Sequence, residues 1–349
     1  MDKKMLKETL KELVLLNGIP SHEHNVREHI TKILSKTRAK LEVNNMGSLI
    51  ATFEGEEQKT SPVLIDAHMD EVGYIVQYID KNGYIKVVNM GNIDARVLPN
   101  QKLYVHASSA KKYPGVVGML PPHVLVGQEA KTLPIDQLAV DCGFNSDEEV
   151  KKAGIRVGSP VTFKEHFEEL ENNKISAKAI DDRAGCTILL GLAEYLDKNK
   201  TKKTIVLSFS VQEEGGLKGI AAIVQKVKPD NALVIEATTA CDMPGISDEK
   251  KVARVGDGVA FTVADSVAYI LPEVVDFMID LAEKNKIKYQ IKTPRYGGTN
   301  AGVLYVSYEG VKTGIAAIPS RYLHSPVSVI SLDDLVSLFD FAKAYVTSI

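Results

Sequence analysis

The chain reads as an α/β protein, a mixed and largely parallel sheet flanked by helices, interrupted once by a β-rich insert. From residue 175 onward, strand-like and helix-like runs alternate, which is the pattern of a parallel sheet covered on both faces. Between about 74 and 165 that rhythm gives way to short strands broken by turn residues such as Asp80-Lys81-Asn82-Gly83 and Pro121-Pro122. Five places outside the insert set a His, Asp or Glu just past a predicted strand. Ligands in open α/β sheets gather beyond those strand ends.

Composition narrows the classes. With 349 residues, 44% hydrophobic and 25% charged, the chain can bury a large core and is neither disordered nor fibrous. A formal charge of −3 and the lack of any Lys/Arg run argue against nucleic acid as a partner. No apolar run reaches the roughly 18 residues of a membrane span. The opening Met-Asp-Lys-Lys-Met-Leu-Lys-Glu is an amphipathic helix rather than a signal peptide, so a cytoplasmic location without membrane contact is expected. Cys142, Cys186 and Cys241 are odd in number and far apart, which fits neither a disulfide framework nor a zinc knuckle.

In order, residues 3–16 repeat apolar positions at helical spacing, and Gly18 with Pro20 stops them. Ser21 is placed to cap a second helix reaching about residue 35. Residues 41–43 and 48–53 pair across Asn44-Asn45-Met46-Gly47. A buried strand, 63–67, then delivers His68 and Asp70. Beyond the insert come a short strand at 175, a helix through 195 and a strand over 204–211. A helix over 217–227 and a strand over 232–235 follow, the strand ending at Glu236. A strand at 259–263, a helix over 272–284 and a strand over 288–292 continue the alternation. Last come a helix opening at Gly297-Gly298-Thr299-Asn300, a strand over 313–318 and a helix capped by Ser331. Asp334 is its capping-box partner.

The strand-end groups are His68 with Asp70, Asp181 with Asp182, Glu213 with Glu214, Glu236, and His324. Side chains two apart on a strand share a face, so Asp70 can support the His68 imidazole. Two histidines with several carboxylates form a mixed N/O donor set suited to zinc, cobalt or manganese. If two metals sit together one carboxylate must bridge, and another is left free as a general base. Each pair read alone has a plainer explanation, such as a solvated helix start for Glu213-Glu214. Their order and shared placement favour the site. His22, His24 and His29 read as solvated, and His106, His123 and His166 as structural or surface residues, with His123 able to reach a site from its loop.

Four blocks then carry a resemblance: Ala-His-Met-Asp-Glu-Val-Gly (67–73), Lys-Ala-Ile-Asp-Asp-Arg-Ala-Gly (178–185), Val-Gln-Glu-Glu-Gly-Gly-Leu-Lys-Gly (211–219) and Arg-Tyr-Leu-His-Ser-Pro (321–326). Together they resemble the signatures of peptidase family 42 of the metallo class. This family includes the tetrahedral TET and glutamyl aminopeptidases, some once labelled cellulase M. The resemblance implies a zinc-exopeptidase type of fold with a catalytic dimetal domain over 1–70 and 168–349. It implies that 71–167 is an inserted β-rich domain for dimerisation or assembly, with dimers building a dodecamer. Carried over by position, it implies that Asp181 bridges two divalent metal ions, with zinc or cobalt expected and manganese as a third choice. His68 and Glu236 would complete one metal site, Glu214 and His324 the other. Glu213 would be the general base, Asp70 would orient His68, and the Asp181–Asp182 peptide would be cis. The implied reaction removes N-terminal residues from short peptides.

Glu236 and Asn300 stand where many relatives carry Asp, and Val259 where many carry proline. Arg295 and Arg321 are candidates for holding an acidic substrate side chain. The rival readings are a dimetal carboxypeptidase, deacylase or dipeptidase, a glycosidase, and a non-catalytic peptide-binding scaffold.

Overall fold

The computed structural model describes residues 1–57, 59–124, 132–293 and 296–349. Helices α1 (Lys3–Val14) and α2 (His24–Leu34) come first. The Asp2 carboxylate caps α1 by accepting the Met5 N–H at 2.8 Å, and Leu6, Leu10 and Leu13 turn one face inward. Ser21 does not cap α2. Its φ is +71°, and Glu23, the residue before the helix, accepts the Ser21 N–H instead. Strands β1 (Lys40–Val43) and β2 (Leu49–Phe53) form the expected antiparallel pair. β3 (Val63–His68) follows, buried along its whole length.

Next come β4 (Gly73–Ile79), β5 (Ile85–Met90), β6 (Lys102–His106), β7 (Lys112–Val116), the short helix α3 (Asp147–Lys152) and β8 (Pro160–Phe163). These strands build one antiparallel sheet, β5–β4–β8–β6–β7. It has its own apolar core around Tyr74, Leu103, Val105 and Phe163.

β9 (Phe167–Leu170) and β10 (Lys174–Ala177) lead into the long helix α4 (Ile180–Lys198). Then β11 (Ile205–Ser210), α5 (Lys218–Val227) and β12 (Asn231–Thr239) alternate. β13 (Val259–Thr262), α6 (Pro272–Lys284), β14 (Tyr289–Lys292) and α7 (Ala301–Leu304) continue. β15 (Lys312–Ser320), β16 (Ser328–Ser331) and α8 (Leu332–Ser348) complete the described elements. The main sheet runs β1–β2–β11–β3–β12–β15–β13–β14. Its central strands β11, β3, β12 and β15 are mutually parallel, so their C-terminal ends share one edge. Among the described residues no helix is long and apolar enough to cross a membrane.

Several expectations change. β12 runs on past Glu236 to Thr239, paired throughout with β15, so Glu236 lies inside the strand. The strand at 175 is outside the main sheet and pairs with β9 and β16. Ser331 caps α8 by accepting the Asp333 N–H at 3.1 Å. Asp334 is no capping-box partner, because its carboxylate accepts the Gly256 and Gly258 N–H groups across the fold. Val259 donates its N–H to the Lys288 carbonyl at 3.2 Å, a bond that proline cannot make.

A buried ion cluster ties α1 to the segment after β3. Lys178 and Arg183 are both 0% exposed. The Lys178 ammonium donates to both Glu71 oxygens at 2.8 Å and to the Leu16 carbonyl at 2.9 Å. Arg183 donates to the carbonyls of Leu13 and Met69 at 2.8 Å and of Leu16 at 3.2 Å. Charges persist in a core only when paired and hydrogen-bonded in this way.

Candidate metal centre

The shared edge of the parallel strands collects the strand-end groups. His68 is the last residue of β3, and Glu213 and Glu214 lie three and four positions beyond β11. Glu236 points from within β12, and His324 follows β15. Asp181 arrives at the start of α4, and the peptide joining it to Asp182 is cis.

Asp181 sits at the middle. Its Oδ1 is 3.0 Å from His68 Nε2, and its Oδ2 is 3.2 Å from His324 Nε2. His68 Nε2 is also 3.3 Å from Glu236 Oε1, while His324 Nε2 is 3.1 Å from Glu214 Oε1. The other ring nitrogens are supported from behind. His324 Nδ1 donates to the Asn92 carbonyl at 2.8 Å, and His68 Nδ1 to the Asp70 carbonyl at 3.1 Å. The Asp70 carboxylate lies farther from that ring, at 3.5 Å. It accepts the backbone N–H groups of Glu213 and Glu214, both at 3.0 Å. Its main contact is therefore with the two glutamates rather than the imidazole. Asp182 also comes within reach of His68 and Glu236, but its oxygens accept the His68 and Gly185 N–H groups.

The electrostatics ask for cations. Among the described residues, the ion pairs that these carboxylates make within 4.0 Å are all to the two imidazoles. Burial pushes Glu213 and Asp182 well up, and takes Glu236 to about 8, with neighbouring carboxylates adding to the effect. Burial would lower both imidazoles, yet Asp181 and Glu214 hold His324 up at about 11. Glu236, Asp181 and Asp70 likewise hold His68 well above its ordinary value. Such crowding of like charge in a dry site is relieved by metal ions, and N/O donors of this kind suit zinc, cobalt or manganese. The donor set fits a divalent ion of this kind.

Glu23, buried beside Gln212, shows the same burial effect. Its Oε1 accepts the Ser21 N–H at 2.9 Å and the Gln212 N–H at 3.2 Å. Burial and the Asp70 charge raise its pKa to about 7. The ionised form is thus disfavoured in the folded state, fully so above pH 7 and not at all below the unfolded value near 4.5. In metal-free protein, Glu23→Gln keeps the accepting oxygen and is expected to gain about 1–3 kcal/mol of stability at pH 8. The gain fades as pH falls from 7 toward 4.5. Urea unfolding of both proteins at pH 8 and pH 5 measures it; equal stability at pH 8 rejects the account.

The profile of the M42 glutamyl aminopeptidase family matches residues 47–341. The chain belongs to the M42 glutamyl aminopeptidase family. It is accordingly an aminopeptidase, a hydrolase acting on peptide bonds. It is 32% identical over 343 residues to a lysyl aminopeptidase of Pyrococcus furiosus, covering 97% of this chain and 95% of the relative. A solved aminopeptidase from the archaeon Desulfurococcus kamchatkensis superposes with a TM-score of 0.94 at 34% identity, covering 99% of this chain and 96% of that one. The TET1 peptidase of Pyrococcus horikoshii, which can assemble into a tetrahedron or a large octahedral shell, has a TM-score of 0.89 at 29% identity. That match covers 99% of this chain and all of the other.

Other residues singled out in this M42 chain find quieter places. Arg321 is locked in a bidentate pair with Asp242, both contacts at 2.7 Å, which occupies its fork. Arg295 lies outside the described residues. His106 bonds Thr162 Oγ1 at 2.9 Å, His166 approaches Ser176 Oγ at 3.4 Å, and His123 is exposed. Cys186 is buried, its thiol donating to the His68 carbonyl. Asn300 is buried beneath the site, donating to Asp66 Oδ2 at 2.7 Å and Ser210 Oγ at 2.9 Å. Asp66 and Asn92 are support that the sequence reading missed. The His-x-Asp spacing drew attention past Asp66, and a carbonyl such as that of Asn92 leaves no trace in residue type.

Proposed function

We propose that the chain removes N-terminal residues from short peptides at a centre of two divalent cations, zinc or cobalt first and manganese third. Asp181 would be shared, His68 and Glu236 would complete one ion's ligands, and Glu214 and His324 the other's. The observation that supports this is the Asp181 carboxylate, whose two oxygens each meet a different imidazole, each imidazole backed by a different glutamate. Bound there, such cations supply Lewis acidity to a scissile carbonyl and lower the pKa of a water toward neutrality. Glu213, 4.0 Å from His68 Nε2, stands back from the ligand set. Its carboxylate takes the proton of the attacking water and returns it to the leaving amine. Burial raises its proton affinity. Asp70 holds the backbone of both glutamates, so the base and its neighbouring ligand keep a fixed separation.

A glycosidase needs two free carboxyl groups at set separations, whereas these carboxylates crowd onto two imidazoles. Enzyme stripped by chelation and reloaded with zinc, cobalt or manganese, then given a peptide ladder, tests the reading. Loss of N-terminal residues only after reloading is expected. Release from the C-terminus, or full activity in the stripped protein, rejects it.

Residues 71–167 are proposed as the dimerisation and assembly element of a homo-oligomer, with dimers building a dodecamer. They carry none of the proposed ligand side chains, and they expose Val88, Val116, Met119, Leu120 and Val124. A monomeric mass by light scattering at full activity rejects this role.

A further inference from the structure

A second cavity, of about 350 Å³, lies between the α1–α2 connection and the five-stranded sheet. It shares no lining residue with the space around Asp181, Glu214 and His324. Its size falls in the range of small-molecule sites. His22, His24, His106, Arg156, Ser108 and Thr162 contribute to its wall, and none of its lining residues is acidic.

Carboxylates beside the wall are already engaged. Glu165 is taken by Lys112 and by the Asn17 amide, the latter at 3.2 Å, and Glu23 by two backbone N–H groups. The exposed Arg156 guanidinium, by contrast, makes no hydrogen bond or ion pair among the described residues; its backbone N–H donates to Ser159 Oγ and its carbonyl accepts the Ser159 N–H. Burial, with Lys112 nearby, lowers His106 to about 4, so it serves as a neutral hydrogen-bonding group and the guanidinium supplies the charge. Asn17, in the same wall, keeps a buried Oδ1 without a partner, an acceptor suited to a hydroxyl group. A planar, unspent guanidinium in a wall that also carries imidazoles and hydroxyls suits an oxyanion.

We propose that this cavity binds a small hydroxylated oxyanion, with Arg156 holding the charged end and the hydroxyl and amide groups holding the body. The shared chemistry is an oxyanion on a short polyol, supplied by a phosphate ester or by a hydroxy acid.

Calorimetric titration of the metal-loaded enzyme with glycerol 3-phosphate, inorganic phosphate and glycerate tests it. Saturable binding is expected, weakened by at least about tenfold in Arg156→Ala through loss of the charge-assisted contacts. A similar loss is expected in Ser108→Trp, which fills the opening from an exposed position. Binding of both phosphates identifies the phosphate source, and binding of glycerate alone the carboxylate source. Three results overturn the proposal: no saturable binding, equal binding by Arg156→Ala, or binding that disappears when the metals are stripped, which would place the anion at the peptidase centre.

Discussion

Glu213→Gln is expected to keep its full metal content while kcat falls by about 10²–10⁴-fold, the usual cost of losing a general base. Gln keeps the size and polarity of Glu but cannot accept a proton. The Glu213 backbone N–H still bonds to Asp70, at 3.0 Å in the parent, so the local fold has no reason to move. The neighbouring change behaves differently. Glu214 Oε1 is 3.1 Å from His324 Nε2, and Glu214→Gln replaces a charged donor by a neutral amide, a poorer ligand. That variant should lose about one metal equivalent and recover part of its turnover in excess metal. Metal stoichiometry measured beside turnover separates the two. If Glu213→Gln loses a metal while Glu214→Gln keeps both, the roles are reversed.

Asp181→Asn should be the more damaging change. Asp181 is the side chain that meets both imidazoles, one oxygen at 3.0 Å and the other at 3.2 Å. Asparagine offers one oxygen and turns an NH₂ group toward the other ring, while lowering the negative charge that both halves share. Metal content should fall at both positions, and turnover by more than about 10³-fold, beyond the ~10²–10³ lost with a single transition-state donor. Excess zinc or cobalt should not restore it. A variant that still holds two equivalents and is rescued by metal would show that Asp181 does not bridge.

Long, strongly periodic stretches were the most legible. The helix over 272–284 was readable because Pro272 opens it and Val274, Val275, Met278 and Leu281 turn a buried stripe inward. The parallel core was readable because strands buried on both faces, such as β11, carry a run of apolar residues, here Ile205-Val206-Leu207. What escaped depends on partners far away in sequence. The tail of β12, Ala237-Thr238-Thr239, lies beyond the apolar run that marks the strand, across the charged Glu236, and is held by pairing with β15. Asp334 mimics a capping box, yet it bonds backbone 76 and 78 residues away. Motif spacing likewise suggested an Asp70 carboxylate turned to His68. A carboxylate has four lone-pair sites to fill, and two N–H groups from the 213–214 turn lie closer.

The bond between His324 Nδ1 and the Asn92 carbonyl spans 232 residues, and it crosses from the main sheet to the loop after β5. With the Nδ1–H given to that carbonyl, Nε2, the atom facing Asp181 and Glu214, is the nitrogen that would lend its lone pair to a metal ion. The loop itself is braced by the Asn89 amide, which donates to the Ile93 carbonyl at 3.1 Å. A chimera that exchanges the insert with that of another aminopeptidase therefore transplants part of the tuning of the imidazole along with the outer surface. Splice points drawn outside residues 89–93 import the donor's carbonyl and with it the donor's ring tilt; splice points that leave this short loop native keep the host's own tautomer.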